Sequence, residues 1–225
     1  MHLSTDQLDA ATTFSRALHF IPAPYNAFLS MTLVYMNIVC IAWGSLLWKP
    51  GPLKLASGWH PGGPLLPLEF ARDSDDSEEL ALVLCPGAPL IPTYWAYVDA
   101  PDLDAARAML AAREKIHPGH PEWIGSFPAV DGAAVQPEIA AWLRARGFDA
   151  VVWTALPPKI AGTEGRMPSP AEAVDFLAGL EGETREAARY YVRRTPAHID
   201  TRYRRLIEAR LGWRPLHEAA VTRMA

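Results

Sequence analysis

Two short stretches carry residue types able to do chemistry. The first is Trp43-Gly44-Ser45-Leu46, which follows the apolar run 37–42. A glycine at such a point lets the backbone reach positive φ and come close to a ligand. Successive N–H groups in a turn form a concavity that binds anions, which suits a substrate carboxylate or a developing oxyanion. An ordinary strand-ending turn uses the same residues. The second stretch ends at Glu114. It is spaced at helical intervals from Leu103, Arg107 and Leu110 and shares their stripe, so its carboxylate points to the edge of a core. Partial burial makes a carboxylate a better base. The competing reading is a helix-end glutamate, solvated or paired with Arg107 or Arg113.

Other clusters carry less. His117, His120 and Glu122 stand in a Pro/Gly loop. Two histidines and an acid can bind a metal, yet the spacing matches no zinc motif, and Pro118 and Pro121 account for the loop; no metal is expected. His60 lies in another Gly/Pro loop and adds no spacing signal. The C-terminal part is rich in arginine: Arg189, Arg193, Arg194, Arg202, Arg204, Arg205 and Arg210. Such a face could meet RNA or an anionic partner, but Glu181, Glu183, Glu186 and Glu208 interleave with it, which predicts a solvated, ion-paired surface. Tyr190, Tyr191 and Tyr203 read as core or interface residues. Cys40 and Cys85 lie in apolar runs and read as buried thiols in a reducing compartment.

These residues need elements to position them. The run 37–42 is continuously apolar, as in a strand covered on both faces. Glycine and proline mark the turn leaving it. Residues 59–67 are Gly/Pro-rich and read as irregular. Strands are expected over 66–72 and 80–85, joined by an exposed acidic hairpin loop at 73–79, and over 93–98. Asp102 caps a helix to about Ile116, ended by the segment 117–121. A helix over 137–146 turns Ile139, Trp142 and Leu143 inward and stops at Gly147. A very apolar strand, 148–156, closes on Pro157-Pro158. Ser169-Pro170-Ala171-Glu172 is a capping box opening a helix to about Leu180. Two more helices follow near 183–194 and 201–211, the last stopped by Gly212. Strands come first and helices last, which predicts an α+β domain with helices packed on a small mixed or closed β-sheet.

The chain has 225 residues, half of them hydrophobic and eight of them Trp, so a sizeable core can form. A formal charge of −4 gives no general attraction for nucleic acid. No Asp, Glu, Lys or Arg occurs between Leu18 and Trp48, which invites a membrane reading. Pro22, Pro24 and Asn26 interrupt its first part, and Asn37, Gly44 and Ser45 its second. Asp6 and Asp9 do not suit a signal peptide. No membrane span is expected, and the location is expected to be cytoplasmic. Residues 1–35 read as an N-terminal extension, with a short helix over 6–18 broken at Pro22. Residues 36–215 read as the domain, and 216–225 as a tail.

The run Ile38-Val39-Cys40-Ile41-Ala42-Trp43-Gly44-Ser45-Leu46-Leu47-Trp48-Lys49-Pro50 resembles the signature opening of the gamma-glutamylcyclotransferase superfamily, especially its ChaC-like branch. That opening is a short strand, then Tyr-Gly-Ser-Leu, an apolar residue, Trp, any residue and Pro. Trp43 stands in place of the Tyr. Leu110-Ala111-Ala112-Arg113-Glu114 resembles the family's Leu-x-x-Arg-Glu segment. His117-Pro118-Gly119-His120 stands where the family has a Gly-Gly-Tyr turn. The similarity extends over about 37–211. It implies the family's barrel-like fold and an enzyme that cyclises a gamma-glutamyl amide, peptide or glutathione to 5-oxoproline. Glu114 would be the catalytic acid/base, Trp43, Gly44, Ser45 and Leu46 would bind substrate, and no metal or organic cofactor would be required. The partner implied is a small gamma-glutamyl molecule, and neither nucleic acid nor a membrane. A non-catalytic member of the same fold, binding a small ligand or a protein, is the alternative.

Overall fold

The computed structural model describes residues 36–74, 79–129 and 136–216. The expected extension 1–35 lies outside them, as does all of the tail but Leu216. Within them the chain forms eight strands and five α-helices. In order these are β1 (Ile38–Ala42), β2 (His60–Asp73), β3 (Leu80–Leu84), β4 (Leu90–Tyr97), α1 (Leu103–Glu114), β5 (Ile124–Phe127), α2 (Pro137–Arg146), β6 (Ala150–Thr154), β7 (Lys159–Ile160), β8 (Thr163–Glu164), α3 (Pro170–Gly179), α4 (Gly182–Arg194) and α5 (Arg202–Leu211). The strands make one mixed sheet in the order β5-β6-β1-β4-β2-β7-β8, with β3 also paired to β2. The sheet is open. Of the two forms expected, mixed or closed, the mixed one is realised and the barrel closure is not, because β5 stands at one end of this order and β8 at the other.

The central strand explains the continuous apolar pattern of its sequence. All five β1 residues are buried. Val39 and Ile41 pack on one face with residues of α2 to α5, including Leu177, Tyr191 and Ile207. Ile38, Cys40 and Ala42 pack on the other face with Ala106 and Leu110 of α1. β1 pairs antiparallel with β4 and parallel with β6. That second pairing sets Ile38 opposite Ala150 and brings the C-terminal ends of β1 and β6 to one end of the sheet, where the turn 43–46 begins.

β2 departs from expectation. Residues 59–67 read as irregular, yet the strand starts at His60. Three prolines, at 61, 64 and 67, lack ladder donors, and the pairing with β4 absorbs them through a register shift between Pro61 and Leu65. Gly63 permits it: a Cβ there would lie 2.4 Å from Thr93 Oγ1, whose hydroxyl donates to Pro64 O at 2.8 Å. A second register shift lies on the β3 side, between Phe70 and Arg72. β2 and β3 pair antiparallel, with Asp73 opposite Leu80; residues 75–78 of the acidic segment expected as an exposed loop lie outside the described residues.

The helix boundaries follow their caps. Asp102 accepts from the Ala105 N–H at 2.8 Å and starts α1. Gly147 and Gly212, both left-handed, stop α2 and α5. Ser169 and Glu172 form the reciprocal capping box of α3. Two buried arginines tie helices to the sheet or to one another. Arg107 donates from α1 to Ile124 O, Ser126 Oγ and Pro121 O. Arg204, expected on the solvated basic face, is 1% exposed. It is ion-paired, with Glu208 at 3.3 Å, but not solvated: it also donates to the carbonyls of Val192, Thr195, Pro196 and Ile199, which join the end of α4 to α5. Arg189, Arg205 and Arg210 do form surface ion pairs, with Glu186, Asp200 and Asp175. Among the described residues no helix is long and apolar enough to cross a membrane.

Candidate functional site

Past Ala42 the chain turns through Trp43 and Gly44 into a single 3₁₀ turn, Ser45–Leu47. Leu47 N–H donates to Gly44 O, while Trp48 and Lys49 N–H donate to Ser45 O. The amides of Gly44, Ser45 and Leu46 make no such backbone bond among the described residues. Gly44 has φ −143, so positive φ is not what requires a glycine here. Space is: a Cβ at Gly44 would stand 2.6 Å from the Tyr191 hydroxyl.

Glu114 is the last residue of α1. Ala106, Arg107 and Leu110 of that helix are buried, and the same stripe carries Glu114 to the edge of the core, where its side chain is 13% exposed. Thr154, at the end of β6, donates its hydroxyl to Glu114 Oε1 at 3.0 Å. Arg113 donates from Nη1 to Glu114 Oε2 at 3.0 Å, from Nη2 to Ser45 Oγ at 2.9 Å, and from Nε to Lys49 O at 3.1 Å. One planar guanidinium therefore fixes the acid relative to the turn. Glu114 thus stands at the edge of the core, as its spacing predicts, and is ion-paired, with Arg113 and not Arg107.

Acid and turn line one small cavity of about 60 Å³, with room for a few waters. Trp43, Gly44, Ser45, Leu46 and Glu114 all contribute to it, as do Thr154, Tyr191 and Arg72. Ile41, Leu82, Val83 and Leu156 make the apolar wall. Trp43 is 5% exposed, and its indole N–H donates to Leu82 O at 3.1 Å. Tyr191 accepts from the Leu82 N–H at 3.0 Å. Burial, then the charge of Glu79, pushes the Tyr191 phenol well above its ordinary range, so it stays neutral and keeps a proton to donate.

Sequence reasoning missed three of these residues. Thr154 lay in an expected strand without a role. Tyr191 was assigned to packing; its one local signal is its spacing with Ala188 and Val192 on the buried stripe of α4. Arg72 ended an expected strand, and the register shift beside it leaves no mark in the sequence.

The loop histidines do not line this cavity. His120 pairs with Glu122 at 3.0 Å and stacks on Trp123, while His117 Nδ1 accepts from the Gly119 N–H. Among the described residues no group of three His, Cys, Asp or Glu side chains is placed to hold a metal. A second, wider cavity of about 420 Å³ lies beside the turn 86–89 and the start of α5. Its buried acid, Glu69, is engaged in capping that helix, accepting from Thr201 Oγ1 and the Tyr203 N–H.

No protein-family model, curated protein or solved structure matches this chain.

Proposed function

We propose that the chain is a gamma-glutamylcyclotransferase-type enzyme, converting a gamma-glutamyl amide to 5-oxoproline and a free amine. One observation carries the reading: a partly buried glutamate, held by Thr154 and Arg113, shares a cavity with a backbone turn whose amides point to no other backbone acceptor.

The chemistry asks for little else. A gamma-glutamyl amide brings its own nucleophile, the α-amino group, so the reaction is unimolecular and positioning supplies most of the rate. Glu114 takes a proton from the α-ammonium. The freed nitrogen attacks the γ-carbonyl carbon, and a C–N bond forms as the ring closes. The bond to the leaving nitrogen then breaks as Glu114 returns its proton to that nitrogen, and the second proton of the ring nitrogen passes through the same carboxylate to the amine, which departs as ammonium. The amides of turn 44–46 hold the anionic end of the substrate. Ser45 Oγ accepts from Arg113, which leaves its own hydrogen for the ligand. The neutral Tyr191 phenol is a donor for the oxygen on which charge develops. A cavity of this size takes the reacting end and leaves the amine portion at its mouth.

A non-catalytic, ligand-binding role is favoured by a different observation: both oxygens of Glu114 are already engaged. One assay separates the two. The purified chain is incubated with gamma-glutamyl dipeptides and with glutathione, and 5-oxoproline is measured. The enzyme reading expects product that Glu114→Gln reduces by about 100-fold or more, the scale of a lost general base. Absence of product from every donor, with retained binding of one, leaves the binding role.

A further inference from the structure

The cavity beside the turn 86–89 and the start of α5 shares no lining residue with the one at the turn 43–46. Its volume, about 420 Å³, lies in the range of small-molecule sites. Pro86, Pro89, Met167 and Tyr203 give it an apolar lining. The Tyr203 hydroxyl is already engaged, donating to Pro168 O at 2.6 Å.

Two charged residues line it as well. Glu69, on β2, is 1% exposed. Arg202, the first residue of α5, is exposed. The acid is therefore at the floor and the base at the rim. Among the described residues neither has an ion-pair partner. The donors to Glu69 are all neutral: the amides of Phe70, Arg202 and Tyr203 and the hydroxyl of Thr201. The N-terminus of α5 adds a partial positive charge. Together these hold the carboxylate in place without a full counter-charge, and burial keeps its carboxyl above the ordinary range. Buried charges are paired as a rule. Of its two oxygens Oε2 is the more loosely held. Its bond from the Tyr203 N–H is 3.3 Å long, whereas Oε1 accepts from the Phe70 N–H at 2.9 Å and from the Thr201 hydroxyl.

An anion at the floor calls for a cation, a guanidinium at the rim for an anion, and the lining for an apolar group. We propose that this cavity binds a free α-amino acid with an apolar side chain, its ammonium on Glu69, its carboxylate on Arg202, and its side chain against Met167, Tyr203 and the two prolines. The ammonium supplies the counter-charge that Glu69 lacks, with Oε2 its acceptor. The carboxylate stays near water, where Arg202 meets it. An exposed pair contributes little, so the buried contact sets affinity and Arg202 sets orientation. The site does not rest on the cyclotransferase reading, and the 5-oxoproline assay can succeed or fail without touching it.

The test is calorimetric titration of the full chain with three probes of one carbon skeleton. They are leucine, 3-methylbutylamine, which lacks its carboxylate, and 4-methylpentanoate, which lacks its ammonium. Leucine is expected to bind. 4-Methylpentanoate should bind about tenfold more weakly or worse, having lost the buried charged contact, and the amine only about two- to fivefold more weakly. Glu69→Gln should weaken leucine and the amine by about tenfold or more and leave 4-methylpentanoate no weaker. Arg202→Met should weaken leucine by about two- to fivefold and leave the amine unchanged. This exposed position keeps the test available if Glu69→Gln does not fold. No binding of leucine at about 10 mM overturns the inference, as does equal binding of leucine and 4-methylpentanoate. Leucine binding that both variants leave intact also overturns it, since the amino acid would then sit elsewhere on the chain.

Discussion

Gly44→Ala is a sharp perturbation of the site, because its cost can be worked from distances. The added Cβ would stand 2.6 Å from Tyr191 Oη and 3.6 Å from Cζ. The first is far inside contact and the second is ordinary packing. Tyr191 cannot easily yield. It is 4% exposed, its oxygen holds the Leu82 N–H, and its ring is edge-packed against Trp48 and Phe70. Overpacking plus loss of that hydrogen bond costs about 2–4 kcal/mol. For a chain of this size the drop in Tm is on the order of 10 °C. Tyr191→Phe removes the clashing oxygen, at a cost of about 1–3 kcal/mol for the orphaned Leu82 amide. In that background Gly44→Ala should cost under about 1 kcal/mol, so the two changes couple by at least about 1 kcal/mol in a double-mutant cycle of urea unfolding. An equal cost of Gly44→Ala in both backgrounds would refute the claim that the tyrosine hydroxyl is what demands a glycine.

Two further predictions concern buried titratable groups. Burial raises the Glu69 carboxyl above its ordinary value, despite hydrogen bonds from Thr201, Phe70 and Tyr203. A carboxyl raised in the folded state contributes stability below the unfolded pKa of about 4.3 and loses it as pH climbs through the folded value. The urea midpoint of the wild type relative to Glu69→Gln should therefore decline as pH is raised from about 4 to 7. A rising difference would contradict this. The thiols of Cys40 and Cys85 are both buried, and burial pushes Cys85 up to about 12 and Cys40 higher. Neither should react with a disulfide reagent at pH 8 until the chain is denatured, when both should titrate; rapid native labelling would contradict their burial.

What could be read from the sequence was what local chemistry specifies. A strand covered on both faces must be apolar throughout, and β1 was legible for that reason. Caps act within four residues, so Asp102, Gly147, the Ser169–Glu172 pair and Gly212 placed their helix ends closely. Glu114 could be set at the edge of the core by helical spacing alone. The rest depends on distant partners. His60 to Pro67 reads as broken because prolines lack donors, and only the register shift against β4 makes it a strand. The two-residue strands β7 and β8 exist by pairing with β2 and each other, and no pattern of two residues announces that. Tyr191 and Arg72 reach the cavity from α4 and from an irregular stretch of β2, so neither could be attached to Gly44 by spacing. Glycine at 44 was anticipated for the wrong reason. Sequence suggests torsional freedom, whereas the structure requires absence of a side chain.

Trp43 and Tyr191, which line the cavity from the turn and from α4, are both tied to a single residue of β3. Leu82 accepts from the Trp43 indole at its carbonyl and donates to the Tyr191 hydroxyl at its amide. Turn, strand and α4 are thus fixed to one peptide segment. With the wall fixed, any change on binding falls to the hydrogen bonds of Glu114. Proton transfer requires one of its oxygens to be released, from either Thr154 or Arg113. The bond from Arg113 joins two opposite charges whereas that from Thr154 has one ionised partner, and the hydroxyl of Thr154 can rotate to another acceptor without moving its Oγ. Arg113 also spans to Ser45 and Lys49 O, so its release would cost three contacts and Thr154's only one. Oε1, the oxygen facing Thr154, is therefore the one that the proposed reaction protonates, while Oε2 stays on Arg113 and keeps the carboxylate aimed at the turn.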